Sequence, residues 1–237
     1  MMGKIRKIDD LDVADRVARA KTKTIALVNQ TIDLINLQAA NNIIVYSPTL
    51  SSQIPKSHAA VAFNVFQDGL LKFQIVRLCA LLDSCAPDDL AKESIPAVAR
   101  LINNPTVLAS LTEERRQESL YAGERVAAER SNRAATRLRH ALALSKHLEN
   151  GTMMKAMRNF RDRHVAHSLE QTRLEQRETV ANMKYGYERL LLKRAIMLVD
   201  RFYLAINGVG FAWSASVEIA RSNAAALWEG TTFKVRR

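Results

Sequence analysis

The stretch HAAVAFNVFQDGLLKFQIVRLCALL, residues 58–82, is the most apolar run of the chain and contains no proline. Ala62, Phe63, Phe66, Leu70, Phe73, Ile75, Val76, Leu78, Leu81 and Leu82 leave only a narrow polar strip of Gln67, Lys72, Gln74 and Arg77. A helix that is apolar over most of its circumference belongs at the centre of a bundle. His58, at its start, reads as a solvent-facing helix terminus.

Working outward, the pattern stays helical. On the N-terminal side, Leu11, Ala14, Val17, Ala18, Ile25, Val28, Ile32 and Ile35 recur at three- and four-residue steps, which predicts a helix from Asp10 to about Tyr46. Residues 47–57 hold two prolines and four serines and read as a loop, with Ser57 placed to cap the apolar helix. On the C-terminal side, Pro87-Asp88-Asp89 opens a short helix to Lys92, and Ser94-Ile95-Pro96 a second one through Ile102, closed by Asn103-Asn104-Pro105. From Thr112 a long charged helix runs to about Glu149. Eight basic and six acidic residues between 113 and 150 suit a solvated or dimer-facing surface held by i,i+4 pairs. Asn150-Gly151 is a stop.

A run free of Pro and Gly from Thr152 to Tyr185 then carries a helix to about Thr172 or further. Another spans Met183–Ile206, with Leu190, Leu191, Leu192, Ile196, Met197, Val199 and Phe202 inward. Asn207-Gly208-Val209-Gly210 is a turn, and a last helix covers Ser214–Trp228 before Gly230. No repeat or low-complexity linker divides the chain, so residues 1–237 read as one all-α domain with mobile basic ends at about 1–8 and 231–237.

Composition agrees. Gly (8) and Pro (5) are scarce among 237 residues, and all five prolines fall between 48 and 105, which favours long helices over a turn-rich β architecture. The net charge of +11 favours an anionic partner. Cys79 and Cys85 are six apart in a helical pattern, about 9 Å of rise, too far for a relaxed disulfide. They read as reduced thiols of a cytoplasmic protein. The N-terminus lacks the apolar core of a signal peptide, and no stretch is apolar for long enough to span a membrane.

Several chemistries have no foothold. The sequence has no glycine-rich phosphate cradle, no H-E-x-x-H and no Cys/His spacing suited to zinc. His164 and His167, even with His140 and His147, lack a carboxylate on the same face to complete a metal site, so neither metal nor cofactor is expected.

What stands out is Arg161-Asp162-Arg163-His164-Val165-Ala166-His167, which gathers two arginines, an aspartate and two of the five histidines. Residues 155–201 around it hold eleven basic and six acidic side chains, with Arg158 and Arg163 as candidate nucleic-acid contacts. Such a set suits RNA hydrolysis, because the ribose supplies its own nucleophile in the 2′-hydroxyl. A histidine, with an ordinary pKa near 6.5, is suited to take that proton. A guanidinium pairs with phosphate oxygens and stabilises charge at the five-coordinate phosphorus. Asp162 is placed to orient an imidazole or an arginine. Six residues of straight α-helix, however, leave Arg161 and His167 about 120° apart. Convergence needs a deformed helix or a second subunit across a two-fold axis. A polar helix face with surface ion pairs is the alternative.

Arg161, Asp162 and His167 match the Arg, polar residue, His order of the HEPN superfamily of all-α, nucleic-acid-associated domains. The wording Phe160-Arg161-Asp162-Arg163-His164-Val165-Ala166-His167-Ser168 resembles that of AbiU-type abortive-infection proteins of phage defence. So do Ala62-Phe63-Asn64-Val65-Phe66-Gln67, Arg77-Leu78-Cys79-Ala80-Leu81-Leu82-Asp83 and Ser94-Ile95-Pro96. The resemblance implies an antiparallel helical bundle, here with extra N- and C-terminal helices, and a homodimer whose two motifs meet in an interface cleft. It also implies metal-independent endoribonuclease activity of a toxin or defence type, sometimes restrained by an antitoxin or nucleotidyltransferase partner. By position, Arg161 would bind the scissile phosphate, His167 would act as base or acid, and Asp162 would take the accessory polar position. His164 falls in the motif's variable part. Other members of the superfamily have lost catalysis and act as binding modules, so a non-catalytic dimer that binds nucleic acid or a protein is the competing expectation.

Overall fold

A computed structural model describes residues 7–54, 56–87, 89, 91–167, 169–232 and 234. The protein is all-α, as its periodicity requires, with no strand among the described residues. The helices are α1 (Val13–Ile44), α2 (Pro48–Gln53), α3 (His58–Leu82), α4 (Ile95–Ile102), α5 (Pro105–Gln117), α6 (Glu124–Asn150), α7 (Thr152–Phe160), α8 (Tyr187–Asn207) and α9 (Trp213–Trp228). No helix among the described residues is long and apolar enough to cross a membrane. Most of the basic ends expected to be mobile lies outside the described residues, but Ile8 is buried and donates its N–H to the Pro87 carbonyl at 2.8 Å.

Two compact units form within the chain. The first contains the chain up to Thr31, Ala80–Met154 and Lys193–Phe211. Its short helices have side-chain caps. Ser94 Oγ accepts the Ala97 N–H at 3.3 Å and starts α4, and Asn104 Oδ1 takes the N–H groups of Thr106 and Val107 ahead of α5. At the far end of α4, buried Arg16 donates to the Leu101 and Arg100 carbonyls at 2.8 and 3.1 Å, satisfying two helix-terminal acceptors. Val107 and Leu111 of α5 are fully buried, as are Ala127, Leu138 and Ala141 of α6 and Leu198, Val199 and Phe202 of α8.

The second unit contains Ile32–Cys79, Lys155–Leu192 and the chain from Ala212 onward. Leu34, Ile35 and Ile44 of α1 are buried in it, as are Ile75, Leu78 and Cys79 of α3. Between these helices runs a polar ladder in which Asn41 Nδ2 donates to Gln74 Oε1 and Gln74 Nε2 to Gln38 Oε1, each at 2.6 Å. Asn41 and Gln74 have no exposure, so these bonds offset the cost of placing amides in an apolar layer.

The structure corrects the sequence reading in several places. The proline-containing loop of residues 47–57 includes helix α2, anchored by Leu50 at 1% exposure. The long charged helix is two helices, α5 and α6, separated at residues 118–123 where Gly123 takes φ 94°. The helix expected from Pro87 to Lys92 falls partly on positions 88 and 90, outside the described residues. Leu190 and Met197 of α8 point outward, with Ala195 and Leu198 inward instead. The apolar helix α3 is buried only from Gln74 onward. Val61 (63%), Val65 (70%) and Phe73 (54%) remain exposed in this single chain. Cys79 and Cys85 are free thiols.

Candidate functional site

The motif is positioned by a short, well-anchored helix. Gly151 ends α6, and α7 restarts at Thr152 with Met154, Ala156 and Met157 buried. At Phe160 the α-helical ladder gives way to a π-helical turn, Arg161–Ala166. The Leu169 N–H closes that turn on the Arg163 carbonyl at 3.1 Å. The helix therefore stops at Ala166 rather than continuing to about Thr172 or further, as its sequence suggested. His167 lies just beyond, in extended backbone at φ −141°, ψ 115°. A π turn bonds i to i+5 and winds more slowly than an α turn, so it changes which side chains share a face. Slower winding alone leaves Arg161 and His167 on different sides; it is the extended backbone at His167 that takes this side chain out of the helical phase.

Each candidate residue has a definite place. Arg161 Nε donates to Asp162 Oδ1 at 2.8 Å, so the aspartate holds the guanidinium from the side. The His164 ring packs on Phe160, with centroids 5.1 Å apart and planes tilted by 49°. Arg163 Nη1 donates to Glu175 Oε1 at 3.0 Å. Arg158 is half-buried, and His164 and His167 are exposed. His167 has no hydrogen-bond partner among the described residues. None of Arg161–Ala166 is buried, so in one chain the motif lies open to solvent. Among the described residues, no three His, Cys, Asp or Glu side chains gather as metal ligands would.

Sequence reasoning missed the group that fixes the far side of the motif. Thr172 Oγ1 accepts the Glu175 N–H at 3.2 Å while Glu175 Oε2 accepts the Thr172 N–H at 2.9 Å. This is a reciprocal capping box on a single turn. The other carboxylate oxygen receives Asn159 Nδ2 at 2.9 Å and Arg163, and the Thr172 hydroxyl donates to Asn159 Oδ1. Glu175 thus ties the segment after the motif back to α7 and the π turn. Lys155 Nζ reinforces the tie by pairing with Glu178 at 2.8 Å. The signal was present as Thr172-Arg173-Leu174-Glu175, a T-x-x-E pattern that the expected long helix had absorbed.

These bonds hold the Glu175 carboxyl below the usual carboxylate range. The Thr172 N–H contributes most and the Asn159 amide next; partial burial opposes them, and the Arg163 charge adds to the lowering. A depressed folded-state pKa gives stability that is complete above the unfolded value of about 4.3 and is lost as pH falls through the folded value. Protection of the Thr172 and Glu175 amides, measured as exchange relative to the unfolded-chain rate at the same pH, is therefore expected to fall on acidification below about pH 4. In Glu175→Gln it should already be low at neutral pH and change less with acid. Wild-type protection that does not respond to acid would show that the carboxylate does not hold this segment.

Comparison with known proteins gives one family match: the HEPN_AbiU2 family model, described as AbiU2, aligns with residues 18–227. No curated protein and no solved structure matches the chain.

Proposed function

The chain belongs to the HEPN_AbiU2 family, and from that premise we propose a metal-independent endoribonuclease acting in phage defence or as a toxin. The observation that carries this reading is the π-helical turn bracketed by Arg161 and His167. Such turns are frequent at functional sites, and just beyond this one His167 leaves the helix for extended backbone, so no fixed α-helical phase holds the two groups apart.

Arg161 binds the scissile phosphate. Its guanidinium, oriented through Nε by Asp162, stabilises charge on the phosphorane oxygens. His167 takes the proton of the ribose 2′-hydroxyl, whose oxygen attacks the adjacent phosphorus. The P–O5′ bond breaks, a proton passes to the leaving 5′-oxygen, and the upstream fragment ends in a 2′,3′-cyclic phosphate. Two copies of the chain form a homodimer in which one subunit's motif faces the other's. This supplies the surroundings that His167 lacks within one chain. Arg158 and Arg163 contact the flanking phosphates, and His164 lines the approach against Phe160. The functional unit is one HEPN-like domain over residues 1–237, and an antitoxin or nucleotidyltransferase partner holds it in check.

A second reading, a non-catalytic dimer that binds nucleic acid or a protein partner, is favoured by one observation: no described group orients the His167 imidazole. Purified protein incubated with RNA in EDTA separates the two. Cleavage that ends in cyclic phosphates and disappears in Arg161→Ala and His167→Ala supports the enzyme. Cleavage equal in wild type and both variants removes it, and salt-dependent binding without cleavage selects the second reading.

A further inference from the structure

The unit that carries the motif also contains a cavity of about 410 Å³, within the range of small-ligand pockets. Two aromatic rings line it, Tyr46 at the C-terminal end of α1 and Tyr185 in the segment leading into α8. The polar groups of Asn64, Gln67 and Asp68 come from one face of α3. The proposed chemistry uses none of these residues.

Tyr46 is fixed from several sides. Its hydroxyl donates to Glu188 Oε1 at 2.6 Å, and Glu188, with no exposure, accepts the Gly186 N–H on its other oxygen at 3.0 Å. The Arg189 guanidinium lies 5.6 Å from the ring centroid. Burial, with the Glu188 hydrogen bond and charge after it, pushes the phenol well above its ordinary pKa and keeps the proton in place. The Tyr46 oxygen is left as an acceptor. Gln67 Nε2 donates to the Ile44 carbonyl, which leaves its Oε1 as an acceptor too, and the Asp68 carboxylate, paired with Lys72 through Oδ2 at 2.7 Å, adds its other oxygen. Tyr185, by contrast, is 79% exposed, a large ring at the cavity wall with little packed against it.

We propose that this pocket receives one unpaired nucleobase of the RNA strand, stacked against tyrosine and preferring a base whose edge carries an amino group. This rests on the RNA reading of the motif. Rigid aromatic faces with a few polar groups are how proteins hold splayed-out bases, and a duplex hides both the faces and the edges. The acceptor oxygens of Tyr46, Gln67 and Asp68 match the N4 amino group of cytosine, where uracil presents an O4 carbonyl, and the Asn64 amide can pair in either sense.

The test measures binding of the full-length protein to short 2′-O-methyl oligonucleotides, which lack the attacking hydroxyl and stay intact. Wild type should bind oligo(C) more tightly than oligo(U). Tyr185→Ala should weaken oligo(C) binding by about ten-fold or more, with Tyr185→Trp restoring it. Binding of a duplex should not respond to either substitution. Tyr185 is so exposed that truncation leaves the fold intact. Equal oligo(C) affinity in wild type and Tyr185→Ala, an equal loss for the duplex, or oligo(U) bound as tightly as oligo(C) would overturn the pocket. RNA cleavage by the wild type persisting alongside any of these results would leave the ribonuclease reading standing. A wild type that binds no oligonucleotide and cleaves no RNA would end both.

Discussion

Replacing His167 by Ala is expected to lower RNA cleavage by about 10²- to 10⁴-fold, the usual contribution of a positioned acid–base group. The fold should not change. His167 is exposed, has no described partner, and sits in extended backbone that alanine adopts without strain. A loss of activity therefore reports chemistry, provided the melting profile of the variant overlays that of the wild type. Arg161→Ala should cost about 10²- to 10³-fold, as for a donor aimed at developing oxyanion charge. Arg161→Lys should restore little, because a compact ammonium cannot both lean on Asp162 and fork onto a phosphate. Asp162→Asn, which retains a hydrogen-bond acceptor for Arg161 but loses the charge, should fall between wild type and Arg161→Ala.

The proposed dimer makes a sharper prediction. If each site draws its guanidinium from one subunit and its imidazole from the other, mixing the inactive Arg161→Ala and His167→Ala proteins regenerates one intact site in each heterodimer. Half of the dimers would be mixed after random exchange, so about a quarter of wild-type activity should return under two-fold symmetry. No recovery after demonstrated subunit exchange would place both groups of a site on the same chain.

Much of the fold was legible because local signals and burial agreed. Both ends of α3 follow from Ser57 and the end of the apolar run, and α4 from Ser94 ahead of Ile95-Pro96. The family resemblance was also legible, since its wording is local in sequence. Features fixed by tertiary competition were not. The α5–α6 break turns on Gly123 within a charged run, where residue types on both sides favour helix. The outward face of α3 was misread because apolarity marks what needs cover, not whether one chain supplies it. The π turn has no compositional signature. The surrounding geometry accompanies it: buried Met154 and Met157 hold α7 before the turn, and Glu175 ties down the chain after it.

Gly208→Ala is expected to destabilise the protein by about 1–3 kcal/mol, the cost of holding a side chain in a strained backbone conformation, with the displacement of Arg115 adding to it. Gly208 closes α8 at φ 76°, a conformation in which a side chain is strained. A Cβ there would overlap Arg115 Nη1 and lie 2.9 Å from its Cζ and 3.0 Å from Glu118 Oε2. Arg115 cannot swing aside cheaply. It is 6% exposed, and its Nη2 donates to Glu114 at 2.9 Å and to Glu118 at 2.8 Å, so displacement would strand a buried cation. Gly210, two residues on, is the control. A Cβ added there would meet nothing within 4 Å, and its φ is not positive, so Gly210→Ala should stay within about 0.5 kcal/mol of wild type. Denaturant midpoints measured side by side decide the matter. Equal midpoints for the two variants would mean that Arg115 relaxes freely and that the charged cluster beneath Gly208 does not hold this end of α8 in place.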